Sequence, residues 1–313
     1  MLPIQIKLSD DYFTDSAKTI VVSADTKKLW AVELDLLCEL DRVCKKYQIR
    51  YSLAYGTLLG AVRHQGFIPW DNDSDVVLLR EDYDKLCRVA GEEFKGRYFL
   101  QTDENTPDAV RGHAQLRNSE TTAILKGEMV GQVPLYEFNQ GVFIDIFPLD
   151  ALPDDESERH LFLAQINHAK QRLIRVRGCL ANWRNRKYIH GGYRSKIKGM
   201  YHAFVKFVFG IDVLANGLRQ FKSLVTKYNG TGMVRCAPVS FNAVLARRWQ
   251  YQSEWFKNLV CLSFESIEFP VPVNYEQILD VNYGDWHRHV IGGDQHGGVM
   301  FDLENAYTKY LRK

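Results

Sequence analysis

Asp73 and Asp75 stand two residues apart in the stretch F-I-P-W-D-N-D-S-D-V, residues 67–76, just ahead of the apolar run V-V-L-L. Residues two apart in a strand share a face, so the two carboxylates would lie side by side. Their repulsion raises at least one pKa unless a cation stands between them. A hard divalent cation, Mg²⁺ or Mn²⁺, takes such oxygen ligands and keeps waters and substrate phosphates in its other positions. That arrangement suits phosphoryl transfer, in which the metal neutralises the phosphate and orients the attacking oxygen. Asp71 has the same parity if the strand starts early, but Pro69 and Trp70 point to a turn there and to a supporting role for Asp71. Two other readings stay open on these residues alone: an edge strand with solvated acids, and a hydrogen-bonded turn. The apolar run weighs against the solvated strand, because burying paired charge is costly without a counter-charge.

Asp145 lies inside V-F-I-D-I-F, residues 142–147. An acid in a buried strand needs a partner or a metal. A strand next to the one at 73–79 would bring Asp145 to the same end, as a third ligand or as the base for an attacking hydroxyl. The alternative is an ion pair with an arginine. Asp150, just past Pro148, reads as a turn or a helix cap. Upstream, Y-G-T-L-L-G-A-V-R-H, residues 55–64, reads as a glycine turn feeding a helix whose N-terminal N–H groups suit phosphate. Gly56 allows the turn and Thr57 caps the helix. Arg63 and His64 at its end would neutralise phosphate or cap the last carbonyls, and for His64 the structural role is the better reading.

Two further segments carry polar side chains without a fixed motif. Residues 171–198 hold nine Lys or Arg, interleaved with Trp183, Tyr188, His190 and Tyr193. Such a run is usually a solvated helical face; the alternative is contact with an anionic acceptor or an anionic membrane surface. D-W-H-R-H-V-I-G-G-D-Q-H-G-G, residues 285–298, gathers His287, His289 and His296 with Asp285 and Asp294. No familiar metal spacing appears, and an irregular polar loop is the simpler reading.

The elements that must position these groups follow from periodicity. Apolar residues at Leu29, Val32, Leu36, Leu40 and Val43 give a helix over 26–48. Strands are expected at 50–55, 73–79, 98–101, 110–116, 121–125 and 141–150, with helices at 57–63 and 81–94. Residues 155 to about 228 read as helical and basic, followed by a strand near 258–269 and a helix near 274–283. The expected division is a catalytic core over 1–154, a helical basic subdomain over 155–250, and a segment over 251–313 that packs back on the core. Net charge is +2 and hydrophobic residues make up 46% of the chain, so nucleic acid is not an expected partner. Six scattered cysteines and an N-terminus without signal-peptide character point to a reducing cytoplasmic compartment. No stretch is apolar enough to span a bilayer.

Taken together, Y-G-T-L-L-G-A-V-R-H-Q-G-F-I-P-W-D-N-D-S-D-V followed by R-E-D-Y resembles the signature of the LicD family, which includes the fukutin-related proteins. F-I-D-I-F-P-L-D resembles its second block, and F-P-V-P-V-N-Y-E-Q-I-L-D-V-N-Y-G-D-W its closing block. The resemblance implies an α+β, nucleotidyltransferase-like mixed sheet flanked by helices, with a helical insert. It also implies transfer of a phospho-alcohol from a CDP-linked donor to a glycan or glycolipid hydroxyl, with release of CMP. Phosphocholine is the first choice of group and ribitol or glycerol phosphate the second. By the same resemblance Gly56 and Thr57 match the phosphate-side turn, Asp73 and Asp75 the metal pair, and Asp145 the third carboxylate. Tyr51, Tyr55, Trp70 and Trp183 could offer faces to a quaternary ammonium. Ser74 departs from the aliphatic residue usual between the two acids, and the His/Gly loop replaces the proline-rich ending usual after Y-G-D. The rival readings are a plain nucleotidyltransferase and a glycan-binding protein with a decayed site. The expected location is cytoplasmic, extending to the inner face of the cell membrane.

Overall fold

The computed structural model describes residues 22–189, 192–290 and 298–311. Ser23 starts the first helix, α1 (Ala24–Tyr47), by accepting the Thr26 N–H on its hydroxyl at 3.0 Å. Leu29, Val32, Leu36, Leu40 and Val43 form its buried stripe, and Gln48 closes it in the left-handed conformation. A two-residue strand, β1 (Ser52–Leu53), leads into α2 (Tyr55–His64). Then come β2 (Asp75–Leu79), α3 (Arg80–Glu93), β3 (Tyr98–Gln101), β4 (Ala114–Asn118) and β5 (Thr122–Leu125). A short hairpin, β6 (Met129–Val130) and β7 (Val133–Pro134), precedes the long strand β8 (Val142–Leu152).

The central sheet runs β1-β2-β8-β4-β3, and β8 also carries β9 (Arg235–Ala237), which pairs with β10 (Tyr251–Gln252). Only β2 and β8 run parallel; the other pairs of this sheet are antiparallel. Residues 142–150 of β8 are buried at both parities, so both faces of the sheet are covered. This is why β8 reads as a nearly continuous apolar run. Pro148 is tolerated because it falls between Ile146, where pairing with β4 ends, and Asp150, where pairing with β9 begins. The expected mixed sheet flanked by helices is what the chain forms.

The middle of the chain supplies α4 (Glu156–Arg184), α5 (Tyr193–Phe209) and α6 (Val213–Val225). Phe162, Leu163, Ile166, Leu218 and Phe221 form a second apolar cluster there, beside the larger one that joins α1 to the sheet. The C-terminal part packs back on the first half. It begins with the hairpin β11 (Leu259–Phe264) and β12 (Ile267–Pro272), followed by α7 (Tyr275–Tyr283). Finally β13 (Val299–Asp302) pairs with β5. The single strand expected near 258–269 is therefore a hairpin, turning at Glu265 with φ of 55°. Among the described residues no helix is long and apolar enough to cross a membrane.

Candidate active site

Asp75 opens β2, and its direct register partner on the parallel neighbour is Asp145. Adjacent strands lie about 4.8 Å apart, so this pairing alone brings two acids together. Asp73 lies outside the strand rather than within it, two residues ahead of its first residue. Asp71 lies in the preceding turn, where its N–H donates to the Ile68 carbonyl at 2.9 Å. Its side chain hydrogen-bonds to Asp73. Burial, then the charge of Asp73, pushes Asp71 well above the usual carboxylate range. Asp75 is pushed up in the same way, by burial first and then by Asp73, Asp145, Asp71 and Glu33.

Glu33 of α1 is the member that the sequence reading missed. It is almost fully buried, and burial followed by the fields of Asp73, Asp71 and Asp145 raises its carboxyl well above normal. Ser74 Oγ donates to Glu33 Oε2 at 2.8 Å, and Trp30 Nε1 donates to the Asp71 carbonyl at 2.9 Å. Helix α1 therefore grips the acidic turn from beneath. The signal was present: Glu33 sits four residues from both Leu29 and Leu37, on the apolar face where a charge has no reason to be. Ser74, the departure noted above, is matched by this buried acid.

Asp145 is held by side chains from β4 and the residue before it. His113 Nε2 lies 2.9 Å from Asp145 Oδ1, and Gln115 Nε2 donates to the same oxygen at 2.7 Å. Arg117 continues the row. It bonds Gln115 Oε1 through Nη2, and its Nε donates to Gln101 Oε1 at 2.9 Å. The expected arginine partner is thus one step removed, and His113 and Gln115 stand between. Residues 113, 115 and 117 alternate as H-x-Q-x-R, which places all three on one face. A cavity of about 330 Å³ lies beyond His113, lined also by Tyr83, Thr102, Phe221 and Ser240. It does not include Asp71, Asp73 or Asp75.

Helix α2 differs from expectation in its details. Its N-cap is Ala54, with no side-chain cap, and the positive φ of the entry turn belongs to Tyr55 at 46°. Gly56 bears on the site in another way: a Cβ there would overlap the Asp71 carboxylate. Thr57 does not cap the helix. It is buried, and its Oγ1 accepts the Asp75 N–H at 2.8 Å, fixing the first residue of β2. Arg63 lies at the far end of α2 and donates to the carbonyls of Trp286 at 2.9 Å and Arg288 at 3.4 Å. It anchors the C-terminal segment in the position where a free phosphate ligand was expected. His64 makes ring contacts with Trp70 and His289, centroids 6.4 and 5.5 Å apart.

Asp150 also corrects the sequence reading. It is fully buried in β8, in a two-pronged ion pair with Arg80 at 2.7 Å to each oxygen. Register explains this: Leu79 pairs with Leu149, so the next residue of each strand meets the other. The four aromatic residues considered for an ammonium do not gather. Tyr51 donates to Asp41 and Arg186 covers Trp183, while Tyr55 stacks on Trp249 at 4.8 Å. Tyr283, which ends α7, was not expected at the site; burial, then the charges of Asp75, Asp71 and Asp73, pushes its phenol up. Of the C-terminal loop, His287 stacks on Trp286, while Asp294 and His296 lie outside the described residues, as does His190 of the basic segment.

The strongest charges acting on Asp71 and Asp75 are those of other acids. Carboxylate oxygens in excess of positive charge are the donor set of a hard cation. Among the described residues no group of three or more His, Cys, Asp or Glu side chains is placed to hold a metal ion.

A family model described as LicD/FKTN/FKRP, nucleotidyltransferase domain, matches residues 48–172. These residues contain α2, β2, β4 and β8, which carry the acidic centre and its supports. Residues 48–172 belong to the LicD family. Similarity extends beyond the LicD domain. Lipopolysaccharide cholinephosphotransferase LicD of Haemophilus influenzae is 27% identical over 272 residues, covering 84% of this chain and 93% of that protein. An uncharacterized protein of Rickettsia prowazekii is 47% identical over 54 residues, covering 17% of this chain and 20% of its own. One of Rickettsia typhi is 47% identical over 47 residues, covering 15% of each chain. Glu33 lies before the matched LicD domain, yet it supports that domain's central turn through Ser74.

Proposed function

We propose that the chain is a divalent-metal-dependent phosphotransferase that moves phosphocholine from a CDP-linked donor to a hydroxyl of a cell-surface polysaccharide or glycolipid, releasing CMP. The observation that carries this reading is the register pairing of Asp75 with Asp145, inside a cluster in which the strongest charges acting on Asp75 are those of other acids. The choice of phosphocholine is supported by similarity along 84% of the chain to a lipopolysaccharide cholinephosphotransferase.

Asp73, Asp75 and Asp145 would hold Mg²⁺ or Mn²⁺. When bound there, the cation neutralises charge on the donor diphosphate. The protein supplies the rest. Thr57 fixes the start of β2 and so the direction of the Asp75 carboxylate. His113 and Gln115 hold Asp145 Oδ1 and so orient the carboxylate that would bind the cation or take the proton of the acceptor hydroxyl. The α2 N-terminus has no side-chain cap, so its first N–H groups suit a donor phosphate. Burial of the acids keeps their interactions strong, because the local dielectric is low.

The description of the matched domain supports one second reading, transfer of the nucleotide itself. Product analysis separates the two. CMP formed from CDP-choline in the presence of Mg²⁺ and an acceptor glycan supports phosphocholine transfer. Pyrophosphate formed from CTP and a phospho-alcohol, with no CMP from CDP-choline, overturns it.

A further inference from the structure

Helix α5 turns its oily face outward. Tyr193, Ile197, Tyr201, Phe204 and Val208 follow one another at spacings of three or four residues, and every one is exposed. Phe204 is 56% exposed, Phe209 65% and Phe207 89%, values reserved in ordinary surface helices for charged residues. The face that packs on α4 is instead small and polar. Asn182 Nδ2 donates to Ser195 Oγ at 2.9 Å, and a Cβ on Gly199 would overlap the Cys179 carbonyl. The amphipathicity is therefore inverted, and among the described residues nothing covers the apolar side.

Charge indicates the occupant. Residues 159–211 contain twelve Lys or Arg and no Asp or Glu, although the whole chain carries a net charge of only +2. On α5 itself Arg194 and Lys198 are exposed beside the apolar stripe. Aromatic and aliphatic side chains flanked by cations, on a helix too short to span, are what an interfacial helix requires. A cavity of about 690 Å³ adjoins the same helix. Its walls include Trp183, Phe207 and Leu214, with the Arg184–Asp108 and Lys206–Asp212 ion pairs at its edge.

We infer that α5, with the end of α4, is a docking surface for an anionic lipid bilayer. The apolar stripe enters the headgroup–acyl boundary while Arg194, Lys198 and their neighbours meet lipid phosphates. This inference is independent of the chemistry at Asp75 and Asp145.

Cosedimentation of the full chain with vesicles tests it. Vesicles of phosphatidylcholine alone are compared with vesicles that also contain phosphatidylglycerol, at low and high salt. The wild type should bind the anionic vesicles, less so at high salt as the cations are screened. Phe204→Ser/Phe207→Ser/Phe209→Ser should weaken that partition about tenfold or more, from the lost apolar area. Arg194→Glu/Lys198→Glu should remove the preference for phosphatidylglycerol. Both variants should keep the wild-type circular dichroism and melting curve, since the altered side chains are exposed. Absence of wild-type binding, or equal binding by the triple variant, overturns the inference. So does a concentration-dependent dimer that the triple variant abolishes without any lipid binding, which assigns the face to a second copy of the chain.

Discussion

Asp75 and Asp145 are direct register partners on the one parallel strand pair of the central sheet among the described residues. Asp75 opens β2 just after a turn that α1 grips through Glu33 and Trp30, and Asp145 lies in the buried stretch 142–150 of β8. Neither acid could be moved without shifting an element that is itself packed on both sides. The sheet thus imposes a repulsive pair and holds it in place, which is the condition under which a bound cation adds most.

Removing one member of that pair separates function from stability. Asp75→Asn and Asp145→Asn should each lower phosphocholine transfer by about 100-fold or more, on the scale of losing one charge-stabilising group. Asp75→Asn should melt no lower than the wild type without metal, because it deletes a carboxylate that burial and four neighbouring acids disfavour. Activity assays and thermal melts on the same preparations check both halves. Near-normal transfer by either variant would remove these acids from the mechanism.

The cluster also sets a pH dependence. Asp71, Asp75 and Glu33 have folded pKa values raised above their unfolded ones. Between those values the folded chain binds more protons than the unfolded chain, so their contribution to stability falls as pH rises. That contribution is present in mild acid and lost as pH rises through the folded values. In EDTA, melting at pH 5.5 should therefore exceed what the rest of the titration curve gives, and Asp75→Asn should flatten the slope. Mg²⁺ should raise the melting temperature more at pH 7.5 than at pH 5.5, since binding requires the ionised acids. A melting temperature indifferent to Mg²⁺ at both pH values would count against the metal.

Much of this centre was legible because strand signals and acids coincide. V-F-I-D-I-F announces a buried strand with one charge in it, and D-S-D ahead of V-V-L-L announces a second. The supports were less visible, since they come from tertiary register. Asp150 looked like a turn residue after Pro148, and only its position opposite Arg80 makes it a buried strand residue. Strand β4 was expected from residue 110 but begins at Ala114. Val110 has φ of 50°, and Asp103 accepts the N–H groups of Arg111 and Gly112 at 2.8 Å each, holding that stretch as a loop. His113 consequently sits at the strand's entrance, where it reaches Asp145. Thr57 looked like a cap by type, but its hydroxyl serves β2 instead.

The Arg80–Asp150 pair offers a test of the frame rather than the chemistry. Both groups are buried, and Asn229 Nδ2 adds a third contact to Asp150 at 2.8 Å. Asp150→Leu removes the guanidinium's main counter-charge, leaving it only the longer contact to Asp84 at 3.6 Å, and should cost about 3–5 kcal/mol. Arg80→Met with Asp150→Leu should cost less than either single change, because no charge is then stranded. Denaturant melts of the four proteins give the comparison. A double variant as unstable as the sum of the singles would show that the pair contributes specific stability beyond compensating its own burial.

Two glycines of α2 should respond differently to the same substitution. A Cβ on Gly60 would overlap the Gly66 carbonyl, which is backbone and cannot step aside. Gly60→Ala should therefore destabilise by about 1–3 kcal/mol, as overpacking does. A Cβ on Gly56 would meet only the Asp71 carboxylate, which can rotate away. Alanine also favours a helix over glycine by about 1 kcal/mol, so Gly56→Ala should be close to neutral in stability. Its cost should fall on activity instead, about tenfold or more, because displacing Asp71 disturbs its hydrogen bond to Asp73. Measured together, a stable but slow Gly56→Ala and an unstable Gly60→Ala would tie Asp71 to the working geometry. Full activity in Gly56→Ala would return Asp71 to a purely structural role in its turn.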